Sequence, residues 1–221
     1  MRTAMVFLAG VVAAVLIGGG LFWITSSPDS AAPGPSAGPD PEAAPPPAPG
    51  PDCSPHWGSA GFGAPVPESP CYGPREQHDG LASGFEQSRM GAVYAATHLY
   101  TRLSSASGQQ IYMPTLAQQT IGDYQNALSE TQQEQGSASP AETTPAHWWY
   151  RVSGGDPASG LVTVDLAGDT PQARAMGGYA GATVTLRWDG GDWKVQLPRP
   201  QPQLVSSLAG YQPLGPEGGG S

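Results

Sequence analysis

Between Ser26 and Asp52 the chain reads SSPDSAAPGPSAGPDPEAAPPPAPGPD, more than a third proline and without one large apolar residue. Such a stretch cannot bury enough surface to offset the entropy of ordering it, so it reads as a solvated, extended, disordered linker. It divides the chain. A core can form only from Cys53 onward, where roughly 170 residues remain, enough for one domain. At about 3.1 Å per residue, a polyproline II linker of this length holds that domain up to ~80 Å from whatever precedes it.

Upstream, Ala4 to Thr25 reads AMVFLAGVVAAVLIGGGLFWIT, without a charge. At about 1.5 Å per residue it is long enough to cross a hydrocarbon core of roughly 30 Å, so residues 4–25 read as a transmembrane helix. Arg2 precedes the run and Asp29 is the first charge after it. The positive-inside rule then places residues 1–3 in the cytoplasm and everything after the span outside the cell, a single-pass signal anchor in the cell membrane. A cleaved signal peptide is the rival reading, with Ala31 and Ala32 beside a processing site, although the run exceeds a usual h-region and no A-x-A follows it directly. Gly10, Ala14 and Gly18 recur every four residues, a spacing that would let two spans approach closely in a homo-oligomer, although plain Gly and Ala abundance is the favoured reading.

The formal net charge is −9 and no basic run occurs, which argues against direct binding to a phosphate backbone. Cys53 and Cys71, the only cysteines, bracket a Gly- and Pro-rich stretch in what the topology makes a disulfide-permissive compartment. A bridge between them is expected to close a loop segment within 53–83, two free thiols being the alternative. His56 and His78 lie nearby. With neither CxxC nor HxxxH spacing, no metal site is expected there, and no motif asks for a cofactor.

From Gly84 to Leu103 the chain reads GFEQSRMGAVYAATHLYTRL, with Ala92, Ala96, Leu99 and Leu103 at helical spacing and Ser88 as the N-cap. Gly91, Ala92, Ala95 and Ala96 leave one side thin. A second amphipathic helix is expected over Tyr112–Gln135, from near Pro114, on Ala117, Ile121, Tyr124 and Leu128. The polar loop that follows, to Pro145, offers no core residue.

Beyond it the pattern alternates. Trp148, Tyr150 and Val152 share a face, a Gly154–Pro157 turn follows, and Val162, Val164 and Leu166 share the next face. ATVTLRW and WKVQL flank Gly190-Gly191, a hairpin in which Trp188 faces Trp193, Leu186 faces Val195 and Val184 faces Leu197. Thr183, Thr185, Arg187, Lys194 and Gln196 take the other side. The expected class is α+β, two helices packed on a curved four-stranded antiparallel sheet over residues 84–216, with a flexible tail at 217–221.

Trp57, Ala64-Pro65, Pro67-x-Ser69-Pro70, Gly73-Pro74, Gly80, Gly84-Phe85, Gly91-Ala92-Val93-x-Ala95-Ala96 and Arg102, followed by Val184-x-Leu186-x-Trp188-x-x-Gly191-Asp192-Trp193-Lys194 and Gly210-Tyr211-Gln212-Pro213-Leu214-Gly215, carry a likeness. The chain resembles, over roughly 53–216, a domain of unknown function found in actinobacterial integrative and conjugative elements. The resemblance implies a single-span protein whose outward domain has a nuclear-transport-factor-2-like (cystatin-like) cone fold. Such domains also occur in membrane scaffold subunits of type IV secretion and conjugation machines.

Catalysis would need polar groups converging in the mouth of the cone. His98, His147, Asp123 and Asp165 are the available groups, but no GxSxG, HExxH, P-loop or dinucleotide fingerprint surrounds them, and turn chemistry accounts for Asp189 and Asp192. An enzyme is therefore not expected. In His147-Trp148-Trp149-Tyr150-Arg151 alternation turns Trp149 and Arg151 outward, a pairing typical of interface hot spots, unless the C-terminal tail covers Trp149. The expected role is a membrane-anchored assembly component of a conjugative, type IV secretion-like DNA-transfer apparatus, its partners the membrane and other envelope or conjugation proteins. An extracytoplasmic ligand-binding or enzymatic cone domain, or an envelope protein of another role, is the alternative.

Overall fold

A computed structural model describes residues 52–60, 63–134 and 139–216. The span read over 4–25, nearly all of the linker and the tail at 217–221 lie outside the described residues. Among the described residues no helix is long and apolar enough to cross a membrane. Contacts divide the chain into Met1–Pro47 and Ala48–Ser221, and the fold below belongs to the second unit.

Two small hairpins come first, β1 (His56–Ala60) with β2 (Ala64–Glu68) and β3 (Glu76–His78) with β4 (Leu81–Ser83). The long helix α1 (Arg89–Arg102) follows, then α2 (Gln109–Gln118), the two-residue strand β5 (Thr120–Ile121), α3 (Tyr124–Gln133) and α4 (Pro140–Thr143). Next come β6 (Trp148–Asp156), β7 (Leu161–Gly168), the short helix α5 (Pro171–Ala175), β8 (Tyr179–Asp189) and β9 (Asp192–Gln196). Two short strands, β10 (Gln203–Val205) and β11 (Gln212–Leu214), close the chain.

Helix α1 is buried on every face from Gly91 to Leu99. It lies against β6, β7, β8 and β9 and also against β1 and β2. That explains its thin side. Gly91 receives the carbonyl of Glu86, which would stand 2.0 Å from any Cβ built there, while the Gly91 N–H is capped by the Ser88 hydroxyl at 3.0 Å. The stripe read in the sequence is thus one side of a helix enclosed by two layers.

Strand β2 turns its prolines toward that enclosure. Pro65 and Pro67 lack the N–H groups that burial there would orphan, and their carbonyls accept from Trp148 Nε1 at 3.1 Å and His98 Nε2 at 3.1 Å. The disulfide Cys53–Cys71 closes around this hairpin.

The main sheet has seven strands, ordered β11-β6-β7-β8-β9-β5 with β10 also on β8. It is mixed, because β5 pairs with β9 in parallel. Its inner face, with Trp148, Val162, Val164, Leu166, Val184, Leu186, Trp193 and Val195, packs on α1. The β8–β9 hairpin has Trp188 opposite Trp193 and Leu186 opposite Val195. It then stops short of the expected Val184–Leu197 pair, because Pro198 has no N–H with which to continue the ladder.

This architecture overturns the expected cone of two helices on four antiparallel strands: the described residues form five helices and a seven-stranded mixed sheet. The single helix expected over Tyr112–Gln135 is interrupted. Gly122 sits at φ +128°, Asp123 caps a new helix by accepting from the Asn126 N–H at 3.1 Å, and the residues between α2 and α3 join the sheet edge. Pro114 lies inside α2 rather than at its start. Pro145 is buried, so the polar loop does contribute to the interior. The Gly154–Pro157 turn also shifts: β6 continues through a bulge between Val152 and Gly154 to Asp156, and the reversal falls at Pro157–Gly160.

Candidate interaction surface

Alternation along the strands puts a polar row on the face of the sheet opposite α1. Arg151, Asp165 and Thr183 are direct register neighbours on β6, β7 and β8. Arg151 donates from Nε and Nη2 to Asp165 Oδ2 at 3.2 and 2.9 Å, and Thr183 donates its hydroxyl to Asp165 Oδ1 at 2.8 Å. Asp165 is 6% exposed and so depends on these donors. The hydrogen bond to Asp165 raises the pKa of Arg151 further.

The C-terminal segment reinforces the row. To pass from β10, beside β8, to β11, beside β6, the residues between must cross the outer face, and Tyr211 lies under the Arg151 guanidinium, 4.9 Å from its ring centroid. Trp149 packs edge-on against Tyr179 at 5.4 Å and near His147, and the β11 residue Pro213 is its register partner. Arg151 and Trp149 are thereby both tied to the rest of the fold. Trp149 is half-buried and Arg151 remains exposed.

Among the described residues nothing covers the other half of the face, where Thr183, Arg187 and Gln196 are exposed. A groove of about 350 Å³ is lined by Thr183, Thr185, Gln196, Leu197, Pro198, Arg199, Pro200 and Gln201. Thr183 belongs to both the row and the groove. Arg199 is buried beneath the groove, donating to the Leu103 carbonyl at 2.9 Å and to Glu134 at 2.5 Å, which fixes the proline-rich stretch that forms one wall.

The titratable groups singled out in the sequence lie apart. His98 is fully buried, donates to the Pro67 carbonyl and meets Phe85 edge-on. Burial, with help from the Arg102 charge, holds its pKa down at about 3, so it is neutral. His147 lies 3.6 Å from Asp169, which also holds Arg174 at 3.0 Å. Asp123 is a helix cap, and Asp189 pairs with Lys194 at 2.7 Å.

Asp192 accepts from the Gly84, Phe85 and Trp193 N–H groups at 2.8, 3.3 and 2.8 Å, while Trp193 Nε1 donates to the Glu86 carbonyl at 2.8 Å. Burial pushes the Asp192 carboxyl up against the pull of those donors. The pair fastens the start of β9 to the loop that launches α1. Among the described residues, no hydrogen bond, ion pair or ring contact joins any two of His98, His147, Asp123 and Asp165. Among the described residues, no group of three His, Cys, Asp or Glu side chains is placed to hold a metal ion.

Sequence reading placed Thr183, Thr185 and Gln196 on the outer side but drew no site from them. Proline spacing after Leu197 was the available signal, since three prolines at alternate positions cannot continue a ladder.

A family model described as Domain of unknown function (DUF8175) matches residues 24–213. The chain belongs to that family. No curated protein and no solved structure matches it. For this DUF8175 chain the chemistry of the surface carries the functional argument.

Proposed function

We propose that the chain is a membrane-anchored assembly component whose outward domain recognises a partner through the uncovered half of the outer sheet face. It does so within a conjugative, type IV secretion-like DNA-transfer apparatus of an actinobacterial element. One observation carries the recognition role: the sheet is closed by α1 on one side, while the other side presents hydroxyl and amide groups around a groove. The groove sets apolar walls, Leu197, Pro198 and Pro200, beside a few threonine hydroxyls and glutamine amides, a mixture that suits selective binding better than bulk adhesion. The apolar run over 4–25 and the proline-rich linker support the anchored, extracellular placement, with residues 1–3 cytoplasmic. The resemblance supports the apparatus.

The test is DNA transfer by the host element. Deleting residues 4–25 or 53–216 abolishes transfer, and Thr185→Glu reduces it while the protein still accumulates. Unchanged transfer after complete deletion overturns the reading. An engineered cysteine at Gly218 that resists an impermeant reagent in intact cells overturns the topology.

A further inference from the structure

Strands β9 and β10 are two pieces of one interrupted strand. Both pair antiparallel with the same side of β8: the last register pair of β9 is Val195 opposite Leu186, and β10 begins with Gln203 opposite Gly181. Four positions of β8, Ala182 to Thr185, lie between these points, a stretch of about 13 Å at strand rise. The chain linking the two pieces is too long to cover it in register and contains Pro198, Pro200 and Pro202. It leaves the ladder at the cis Leu197–Pro198 bond and is drawn toward the helices, Leu197 packing at Gly122 and Arg199 bonding the Leu103 carbonyl.

The backbone left behind has a definite polarity. The Trp188 N–H donates to the Gly160 carbonyl, on the β7 side. Backbone groups alternate along a strand, so those of Thr183 and Thr185 point the other way, Thr185 toward Gln196 at the end of β9 and Thr183 toward the interruption. Among the described residues Thr183 has Asp165 of β7 as its register partner and none on the opposite edge. The groove of about 350 Å³ lies at that edge, with Thr185, Gln196 and Gln201 around it, a volume within the roughly 300–1,000 Å³ of ligand sites.

We propose that this interruption is a peptide-binding slot: a short extended segment of a partner protein enters from the outer face and pairs its main chain with Thr183, completing the strand that the proline stretch breaks. An N–H and a C=O presented together from one extended residue are matched by another extended backbone, which offers the complementary pair at the same spacing. The paired residue of the partner cannot be proline, because it must donate. Side chains flanking it meet the Thr185 hydroxyl and the Gln196 and Gln201 amides, so small or polar residues fit. The proposal rests on the outer face being a recognition surface and names the class of partner.

The experiment selects heptapeptides from a random library on the full-length chain in detergent, then measures binding of the synthetic hits. Enriched peptides are expected to lose at least tenfold in affinity when one backbone nitrogen is N-methylated, with methylation of the neighbouring residues tolerated. Thr185→Trp and, from the opposite wall, Gln201→Trp each abolish binding, whereas Arg187→Ala leaves it unchanged. Hydrogen exchange at the Thr183 amide slows when the peptide binds.

Peptides that bind both tryptophan variants as well as the wild type, or that tolerate N-methylation at every position, overturn the slot. So does a library that yields no peptide while chitooligosaccharides bind and are blocked by Thr185→Trp. These outcomes leave DNA transfer untouched, so the slot fails separately from the assembly role, which falls only if transfer survives deletion of the domain.

Discussion

The two faces of the main sheet are held by different forces. On the inner face, α1 and four strands exclude water around Leu99, Leu186 and Trp193, so cohesion there comes from buried apolar area and close packing. On the outer face a buried carboxylate, a half-exposed guanidinium, a threonine and a tyrosine ring hold a crossing segment in place. Such contacts are directional and individually modest. The contrast teaches that the inner face sets whether the domain folds and the outer face sets what it presents.

Substitution on the inner face tests that division most severely. Trp193→Ala removes a fully buried indole together with its bond to the Glu86 carbonyl, and a loss of about 3–5 kcal/mol is expected in denaturant unfolding. A loss below about 1 kcal/mol would mean that the inner face is not the core.

A pH titration of stability probes the other layer around α1 through His98, which bonds the Pro67 carbonyl of β2. Its ordinary pKa of 6.5 falls to about 3 in the fold, so the unfolded chain takes up a proton first as pH drops. The contribution is complete above pH 6.5 and is lost progressively from there down to about pH 3. Between pH 7 and 5 this amounts to about 2 kcal/mol. The loss should be absent from His98→Gln, and an equal pH dependence in that variant would remove His98 as its source.

Weaker effects are expected outside. Asp165→Ala should cost about 1–2 kcal/mol, because Arg151 is exposed enough to turn to solvent once its partner is gone. The larger consequence is release of the segment around Tyr211, read as faster amide exchange there. A cost equal to that of Trp193→Ala would make the polar row part of the core and collapse the distinction. Arg187→Ala, on an exposed side chain of the same outer face, should stay within about 0.5 kcal/mol in the same unfolding assay.

Legibility in the sequence followed the same divide. Trp188, Trp193, Leu186 and Val195 found their register because a Gly-Gly turn and period-two alternation are local signals. Helix α1 was legible as a helix from Ser88 onward, yet its burial on every face was not, since a second layer beside it is formed by β1 and β2, where Pro65 and Pro67 mask the strand pattern. The break between α2 and α3 was hidden by Ile121 and Tyr124, which continue a helical stripe across a segment that the edge of β9 captures as a strand. The groove at Thr183 was least legible, because it depends on where a strand fails to pair.

The disulfide has a mechanical consequence. Any tension transmitted along the chain from upstream arrives at Cys53, and the covalent link passes it directly to Cys71, beside the Ser69–Gly73 bridge and the Tyr72 carbonyl that holds the Glu86 N–H. The β1–β2 hairpin lies wholly within the closed loop, so it carries none of that load and cannot be unzipped from its end. With the sulfurs reduced, the same pull would act first on β1, peeling it from β2 one register pair at a time before it reached α1.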